Sequence, residues 1–263
     1  FPIVGRLRGG AYTYKGKKYE MRCHGFAPRL EHKITKTSES SAETVLEESP
    51  ESLAQYPFGF RFTQTLTLDG NTLHIKIKAV AKDELWCAFG GHPGFVLPDA
   101  DGGVTDFDSL YVRVNDKKAP ERMIFSDTCF VTSERQPFPL DGEGRFKLTH
   151  HLFDDDAVVL CGVKSATLGS TVSPRSVTVA SPDANYYGFW QTRFSSRMRR
   201  ASRSSELVSP NFDASPPLSA HLPEPLDASL MRMPRLGFTL SFLAARAMMS
   251  SSLSFSTTIK MRF

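Results

Sequence analysis

Two histidines in unusual local settings are the residues of this sequence best suited to chemistry. His24 lies in the segment CHGFAP, and His92 lies in FGGHPGF. Glycines adjoin both histidines, and glycine lets the backbone approach a ligand closely. A neutral imidazole near pH 7 can accept or donate a proton. Either histidine alone fits a structural role, and GGHP also fits a plain turn, but the two together favour an acid–base or ligand-binding centre.

The elements that must position these histidines are short alternating segments separated by Gly, Pro or polar breaks. This pattern runs from Tyr12 to about Trp190 and favours strands over helices. Only short stretches such as SAETVLEES and ESLAQY could hold a turn of helix. The sequence therefore predicts a nearly all-β body, either a sandwich or a barrel.

Two hairpins are the most specific elements of this prediction. The segment AYTYKGKKYEM predicts one hairpin around Lys15-Gly16-Lys17. A second, in RFTQTLTLDGNTLHIKIKAVA, turns at Asp69-Gly70-Asn71, where the residue types tolerate positive φ. Alternation in its second strand places Leu73, Ile75 and Ile77 on one face of the sheet.

The composition of the chain excludes several classes of protein. Its 263 residues are 40% hydrophobic, which is enough for a core in one large domain or two small ones. The segment 191–263 holds 10 of the 32 basic and 4 of the 28 acidic residues, so it carries +6 and the remainder −2. Nucleic-acid binding by the folded body is therefore not expected. No apolar run approaches about 18 residues, so no membrane partner is expected. The start FPIVGRLRGG has no basic-then-apolar signal pattern, so no secretory leader is expected, and the missing initiator Met suggests a fragment.

The four cysteines indicate a reducing, cytoplasmic location. Cys23, Cys87, Cys129 and Cys161 are isolated from one another and form neither a zinc-binding pair nor a disulfide framework. Their neighbours are apolar or strand-like, as in LWCAF and VVLCGV. We expect each thiol to act as a small core hydrophobe.

The character of the chain changes near Arg193. The region 193–263 is rich in Ser, Arg and Pro and lacks strand periodicity over most of its length. It predicts a tail that is disordered or translated from a shifted reading frame, following a β-sandwich domain at 1–192. A regulatory tail with a kinase site at Arg199-Arg200-Ala201-Ser202 is the functional alternative.

A series of motifs resembles one known family. FPIVGR, YTYKGKKY, HGFA, YPFGF, FGGHPGF, LTHHLFDDDAVVL and YYGFW occur in this order. The series is similar to the galactose mutarotase-like aldose 1-epimerases, particularly their LacX-like branch, over roughly 1–192. The resemblance implies an all-β galactose mutarotase-like β-supersandwich, expected here to be incomplete at both ends. It also implies an open cleft for a glucose- or galactose-type aldohexose, without a metal or organic cofactor.

The resemblance also implies a mechanism and residue roles. A carboxylate removes the proton of the C1 hydroxyl while a histidine donates one to the ring oxygen, and the opened ring recloses as the other anomer. His92 matches this general acid, and His24 matches the histidine that contacts the sugar ring. Arg6, in the VGR element, is expected to donate to sugar hydroxyls, although a salt bridge inside the sandwich fits it almost equally well.

The segment LTHHLFDDD contains weaker candidates. His150, His151 and Asp154 lie where the family places a residue near the sugar, and we assign substrate contact to His150 among them. The acidic triplet that begins at Asp154 also fits a solvated turn. It lacks the alternating spacing of a calcium-binding loop.

The catalytic base is missing from the expected place. The family carries a Glu-Pro-Trp-like element after the GFW strand, and neither Glu206 nor Glu224 lies in such an element. We therefore expect low or no activity from this polypeptide. Two alternatives stay open: a non-catalytic carbohydrate-binding β-sandwich, and a hexose-6-phosphate 1-epimerase that would use Arg29 and Lys33.

Overall fold

A computed structural model describes the greater part of the chain. The described residues are 1–99, 103, 105–115, 119–154, 157–191, 238–249 and 252–263. Its strands are β1 (Ala11–Tyr14), β2 (Lys17–Glu20), β3 (Lys33–Thr37), β4 (Ser41–Glu47), β5 (Phe60–Asp69), β6 (Thr72–Ala81), β7 (Leu85–Gly91), β8 (Gly94–Phe95), β9 (Leu110–Val114), β10 (Glu121–Phe125), β11 (Val131–Pro137), β12 (Arg145–Lys147), β13 (Val158–Cys161), β14 (Ser165–Ser170), β15 (Ser176–Ala180), β16 (Ala184–Gln191), β17 (Phe238–Met249) and β18 (Ser252–Arg262).

These strands form two large sheets and one small hairpin. In the described residues, one sheet has nine strands in the order β12-β9-β14-β15-β18-β6-β5-β4-β3. The other has seven strands: the order β11-β10-β13-β16-β17-β7, with β8 also paired to β17. Among the described strands, β1 and β2 pair only with each other. The all-β sandwich expected from the sequence is confirmed.

The first predicted hairpin is present. Tyr14 of β1 pairs with Lys17 of β2. The two turn residues between them, Lys15 and Gly16, have φ angles of 47° and 78°. Positive φ at both positions is the geometry that matches a two-residue turn to the right-handed twist of its strands.

The second predicted hairpin is also present, and its faces agree with the alternation. Asp69 at the end of β5 pairs with Thr72 at the start of β6. Ile77 is buried, and Leu73 and Ile75 are partly buried and pack against the core. One face of β6 is therefore apolar and faces inward, as period-2 alternation requires.

The helical expectation holds for one of its two segments. ESLAQ lies in the helix α1 (Pro50–Gln55), which Ser49 caps by accepting a hydrogen bond from the Ser52 amide at 3.2 Å. SAETVLE instead forms β4, so that prediction is wrong. β4 pairs with β3 and β5, and these cross-strand contacts outweigh a weak local helix preference. No helix in the described ranges is long and apolar enough to cross a membrane.

The core lies between the two large sheets. The ring of Phe146 in β12 packs edge-on against Phe189 in β16, with centroids 5.3 Å apart. The hydroxyl of the buried Tyr187, also in β16, donates to the carbonyl oxygens of Lys164 at 2.9 Å and Val179 at 3.3 Å. Aromatic packing and a satisfied phenol hydroxyl thus join the layers.

The region predicted to be disordered or foreign contains two strands in internal positions of the sheets. β17 lies between β16 and β7, and β18 lies between β15 and β6. The prediction of disorder is therefore wrong for 238–249 and 252–262. Backbone pairing on both sides supplies the stabilisation that composition did not reveal. Residues 192–237, with Ser202, Glu206 and Glu224, lie outside the described residues, and the shifted reading frame stays a prediction.

Phe255 offers a direct test of the placement of β18. Its side chain is 1% exposed. Phe255→Ala should lower the free energy of unfolding by about 3–5 kcal/mol, because it removes a large core side chain. Ser254→Ala, at the neighbouring exposed position, is the matched control and should change little. Urea unfolding measures both. Equal, small effects would show that this segment is not packed as described.

Candidate active site

The first residues of the chain are held between the edge strand β7 and the loop that follows β2. The carbonyl oxygen of Pro2 accepts a hydrogen bond from the amide of Ala88 in β7 at 2.8 Å. The carbonyl oxygen of Phe1 accepts from the amides of Phe26 and Ala27, each at 3.1 Å. These contacts place Gly5 next to the His24 loop.

His24 is fixed to Gly5 by two reciprocal hydrogen bonds. The amide of His24 donates to the carbonyl oxygen of Gly5 at 2.7 Å, and the amide of Gly5 donates to the imidazole Nδ1 of His24 at 3.1 Å. An amide can donate only to an unprotonated nitrogen, so neutral His24 must carry its hydrogen on Nε2. The backbone therefore sets the tautomer and makes Nε2–H the donor of this side chain.

The bend that presents His24 depends on left-handed backbone at two consecutive residues. His24 has a φ of 63°, and Gly25 has a φ of 72°. A Cβ at Gly25 would lie 2.4 Å from the carbonyl oxygen of Phe1 and 2.8 Å from Cδ of Pro2. Glycine is therefore required at position 25 on steric and on conformational grounds.

Gly25→Ala should destabilise the protein more than Gly16→Ala. Both glycines have positive φ, so alanine costs about 1–2 kcal/mol of conformational energy at either position. Only Gly25 would also clash, since no atom of the described residues lies within 4 Å of a Cβ at Gly16. Thermal unfolding of the two variants separates the cost of the steric clash from the conformational cost of positive φ. A loss at Gly25→Ala no larger than that at Gly16→Ala would contradict the close approach of Phe1.

His92 lies in the connection between β7 and β8. Both strands pair with β17, through Gly91 with Phe242 and Gly94 with Thr239. This arrangement brings the His92 ring to 5.0 Å from the His24 ring, centroid to centroid. The two histidines, 68 residues apart in the sequence, therefore form one pair, as their glycine-flanked settings led us to expect.

Both imidazoles titrate below their ordinary range. Burial lowers the pKa of His24, and the positive charges of His92, the Phe1 amino group and Arg29 lower it further. His92 is exposed, but the protein around it is close enough to lower its pKa by desolvation. Both rings are therefore mainly neutral near pH 7.

His24→Asn should reduce the loss of stability in acid. Because the pKa of His24 is lowered in the folded state, the unfolded state binds a proton at this residue more readily. The free energy of unfolding is therefore highest above the unfolded pKa of about 6.5 and decreases as the pH falls below it. Asn tolerates left-handed backbone, and its Oδ1 can accept the Gly5 amide in place of Nδ1. Urea midpoints at about pH 7.5 and 5.5 should then differ less in the variant than in the wild type. The control is His151→Asn, at a side chain that is 94% exposed. An equal acid loss in wild type and His24→Asn would contradict the linkage.

The two nearby arginines are both tied to backbone carbonyls. Nη2 of Arg6 donates to the carbonyl oxygens of Thr128 at 3.3 Å and Cys129 at 3.0 Å, and its guanidinium lies over the ring of Phe130 at 5.1 Å. Because Gly5 precedes it, Arg6 is adjacent in the chain to the residue that fixes His24.

Nη1 of Arg29 donates to the carbonyl oxygens of Cys23 at 3.4 Å and Gly25 at 2.8 Å, so Arg29 braces the His24 loop. Lys33 is exposed at the start of β3. These contacts give Arg29 a role in the loop itself and do not favour a phosphate site that it would share with Lys33.

The LTHHLF candidates lie in a 3₁₀ helix, His150–Phe153. Only the backbone of His150 is described, so its expected contact with the sugar stays a prediction. His151 Nδ1 lies 3.0 Å from Asp154 Oδ2, and both side chains are well exposed. A solvated local pair therefore accounts for these two residues.

Comparison with known proteins decides the family. The model of the family described as aldose 1-epimerase matches residues 1–215. The chain belongs to the aldose 1-epimerase family. The match extends past the region 1–192 in which the sequence motifs were found. No curated protein matches the chain.

Solved structures of galactose mutarotase-like proteins share the fold of this aldose 1-epimerase family member. A galactose mutarotase related enzyme from Lactobacillus acidophilus is 21% identical with a TM-score of 0.77, over 100% of this chain and 81% of that one. A galactose mutarotase-like protein from Lactobacillus casei is 20% identical with a TM-score of 0.73, over 99% and 83%. An aldose epimerase homologue from C. elegans is 11% identical with a TM-score of 0.69, over 100% and 81%.

An apolar cavity of about 600 Å³ adjoins the N-terminal segment of this epimerase family member. Its lining includes Ile3, Leu7, Tyr12, Tyr56 and Tyr186. The hydroxyl of Tyr12 already donates to the carbonyl oxygen of Gln55 at 3.0 Å, and that of Tyr56 to Trp86 at 2.5 Å. Because both hydroxyls already donate hydrogen bonds within the protein, the histidine pair is a better binding site for a polyhydroxylated ligand than this cavity.

The cysteines divide into different environments. Cys87 is buried, and burial raises the pKa of its thiol to about 11, so the expected role as a core hydrophobe fits it. Cys23 is exposed, so the same expectation is wrong there, because the loop that carries His24 turns its preceding residue outward. Cys129 and Cys161 are intermediate, and all four are free thiols. The described residues contain no group of three His, Cys, Asp or Glu side chains arranged to hold a metal ion.

Trp190 lies at the site although it was not among the site residues expected from the sequence. Its indole ring lies 6.3 Å from the His92 ring, centroid to centroid. Thr239 of β17 pairs with Trp190 on one side and with Gly94 on the other. This pairing brings Trp190 close to His92, which lies two residues before Gly94. Alternation in YYGFW places Trp190 on one face with Tyr186, but the strand β17 was not predicted from the sequence.

Proposed function

We propose that this aldose 1-epimerase family member interconverts the α and β anomers of free aldohexoses of the glucose or galactose type. The observation that carries the proposal is the pair of neutral imidazoles 5.0 Å apart, one of which has its tautomer set by the backbone. Family membership supports the reaction class. Ring opening at a hemiacetal requires one group that accepts a proton and one that donates a proton.

His24 stabilises the ring oxygen of the sugar. With Nδ1 occupied by the Gly5 amide, its Nε2–H is left to donate a hydrogen bond to the oxygen on which negative charge develops as the C1–O5 bond breaks. A pre-oriented donor of this kind loses little entropy when the substrate binds. The lowered pKa keeps His24 in this neutral form near pH 7.

His92 transfers the proton at the ring oxygen. The fraction of His92 that is protonated donates this proton, and the lowered pKa makes that imidazolium a stronger acid toward the opening ring. Because most His92 is neutral near pH 7, the donating form is the minority form. When the ring recloses after rotation about the C1–C2 bond, neutral His92 takes the proton back from the C5 hydroxyl. The family's mechanism also needs a carboxylate that removes the C1 hydroxyl proton, and no residue is assigned to it because neither Glu206 nor Glu224 lies in the expected element. Arg6 and His150 are assigned to sugar hydroxyls.

The remaining parts of the proposal follow from this chemistry. Proton transfer at a hemiacetal needs an acid and a base, so the proposal contains no metal or organic cofactor. Four free thiols support the reducing, cytoplasmic location that we expected from the cysteine spacing.

Polarimetry with freshly dissolved α-galactose and α-glucose tests the proposal. The wild type should accelerate mutarotation only slightly above the rate in buffer, because the Glu-Pro-Trp-like element that carries the family's base is missing from the expected place. His92→Gln should remove this acceleration, since one acid–base group usually contributes about 10²–10⁴ in rate. His24→Asn should also lower kcat, since it keeps the Gly5 contact but loses the Nε2–H donor.

His151→Asn is the matched control, because His151 is a solvent-exposed histidine outside the pair, and it should leave the rate unchanged. A wild-type rate equal to that in buffer would overturn the isomerase. A sugar-dependent rise in Tm that persists in His92→Gln would in that case identify a carbohydrate-binding module.

A further inference from the structure

Trp190 occupies an open position on its strand. In β16, Tyr187, Phe189 and Gln191 are buried on one face of the sheet, whereas Tyr186, Gly188 and Trp190 alternate onto the other and are only half-buried. Gly188 has no side chain, so nothing from β16 itself covers the strand between the two aromatic rings. A large apolar ring is thus left partly exposed beside a polar centre.

The distance and inclination of the Trp190 indole relative to the two histidines determine how a sugar ring could bind beside them. Its ring is inclined 45° to the His92 ring at 6.3 Å, and His92 in turn lies 5.0 Å from His24. A pyranose has C–H groups on its faces and oxygen atoms at its edge. A ligand whose C–H face packs on the indole can therefore turn its ring oxygen toward the histidines, and binding sites commonly combine aromatic walls with a few polar groups in this way.

We propose that Trp190 is the stacking surface for the C–H face of the pyranose ring and sets the orientation in which the ring oxygen meets His92 and His24. This inference rests on the proposed function, because it assigns a substrate contact to the same site. The ligand class is a closed aldopyranose, and an open-chain polyol offers no such face. The contact exists in the bound ring before it opens, so it contributes mainly to binding of the substrate.

The chain contains two tryptophans, and this allows an optical test with a built-in control. Trp86→Phe leaves Trp190 as the sole tryptophan, and Trp190→Phe leaves Trp86, which is 44% exposed on β7. Each variant is titrated with galactose and glucose while tryptophan emission is recorded, with sorbitol as the open-chain control. Galactose or glucose should change the emission of the Trp86→Phe variant and leave that of Trp190→Phe unchanged, and sorbitol should change neither.

Kinetics separate substrate stacking from a merely structural role. Trp190→Ala should raise KM about tenfold with little change in kcat, and Trp190→Phe should raise it less, since a smaller aromatic ring remains. Trp86→Ala should leave KM unchanged. A structural tryptophan would instead lower Tm without a selective effect on KM.

The outcomes distinguish this inference from the function on which it rests. If sugars change neither the emission nor the Tm of any variant and mutarotation stays at the buffer rate, both are overturned. If the wild type is active but Trp190→Ala keeps its KM, or Trp190→Phe keeps the emission change, only the stacking role is overturned.

Discussion

The site depends above all on the two reciprocal hydrogen bonds between Gly5 and His24. They tie a loop with left-handed backbone to the segment that lies along β7, and they place an unprotonated Nδ1 against an amide donor. One contact thereby fixes position, tautomer and charge state of an imidazole, because an imidazolium could not accept that bond. Gly25 makes the contact possible, since only glycine fits beneath the carbonyl of Phe1.

The second constraint is β17, which connects the other half of the site. It pairs with β16 on one side and with β7 and β8 on the other, so it spans the gap between Trp190 and the turn that carries His92. Among the described strands, β17 is the partner that joins β7, and hence His92, to this sheet. Trp190 and the turn that carries His92 therefore come from segments that are far apart in the sequence and are brought together only by their pairing with β17.

Local patterns predicted much of this molecule. Turn residues with positive φ located the β1–β2 and β5–β6 hairpins, and glycine-flanked settings singled out His24 and His92. What the sequence did not reveal was long-range pairing. SLSFSTTIKMR does alternate apolar and polar residues, but the Ser-, Arg- and Pro-rich composition of 193–263 led us to predict a disordered or frame-shifted tail. FTLSFLAARAMM and SLSFSTTIKMR are both paired on two sides, and SAETVLE became a strand through the same kind of pairing. Trp190 was not predicted as a site residue, because it lies near His92 only through the pairing of β17 with both segments.

Nitrogen-15 NMR of the histidine side chains at neutral pH, with and without galactose, tests the Gly5–His24 contact and the histidine pair together. We expect that His24 carries its proton on Nε2 and has an unprotonated Nδ1, and that galactose shifts the ring signals of both His24 and His92 while those of the exposed His151 stay in place. A His24 protonated on Nδ1, or a sugar response confined to residues outside the pair, would contradict this expectation.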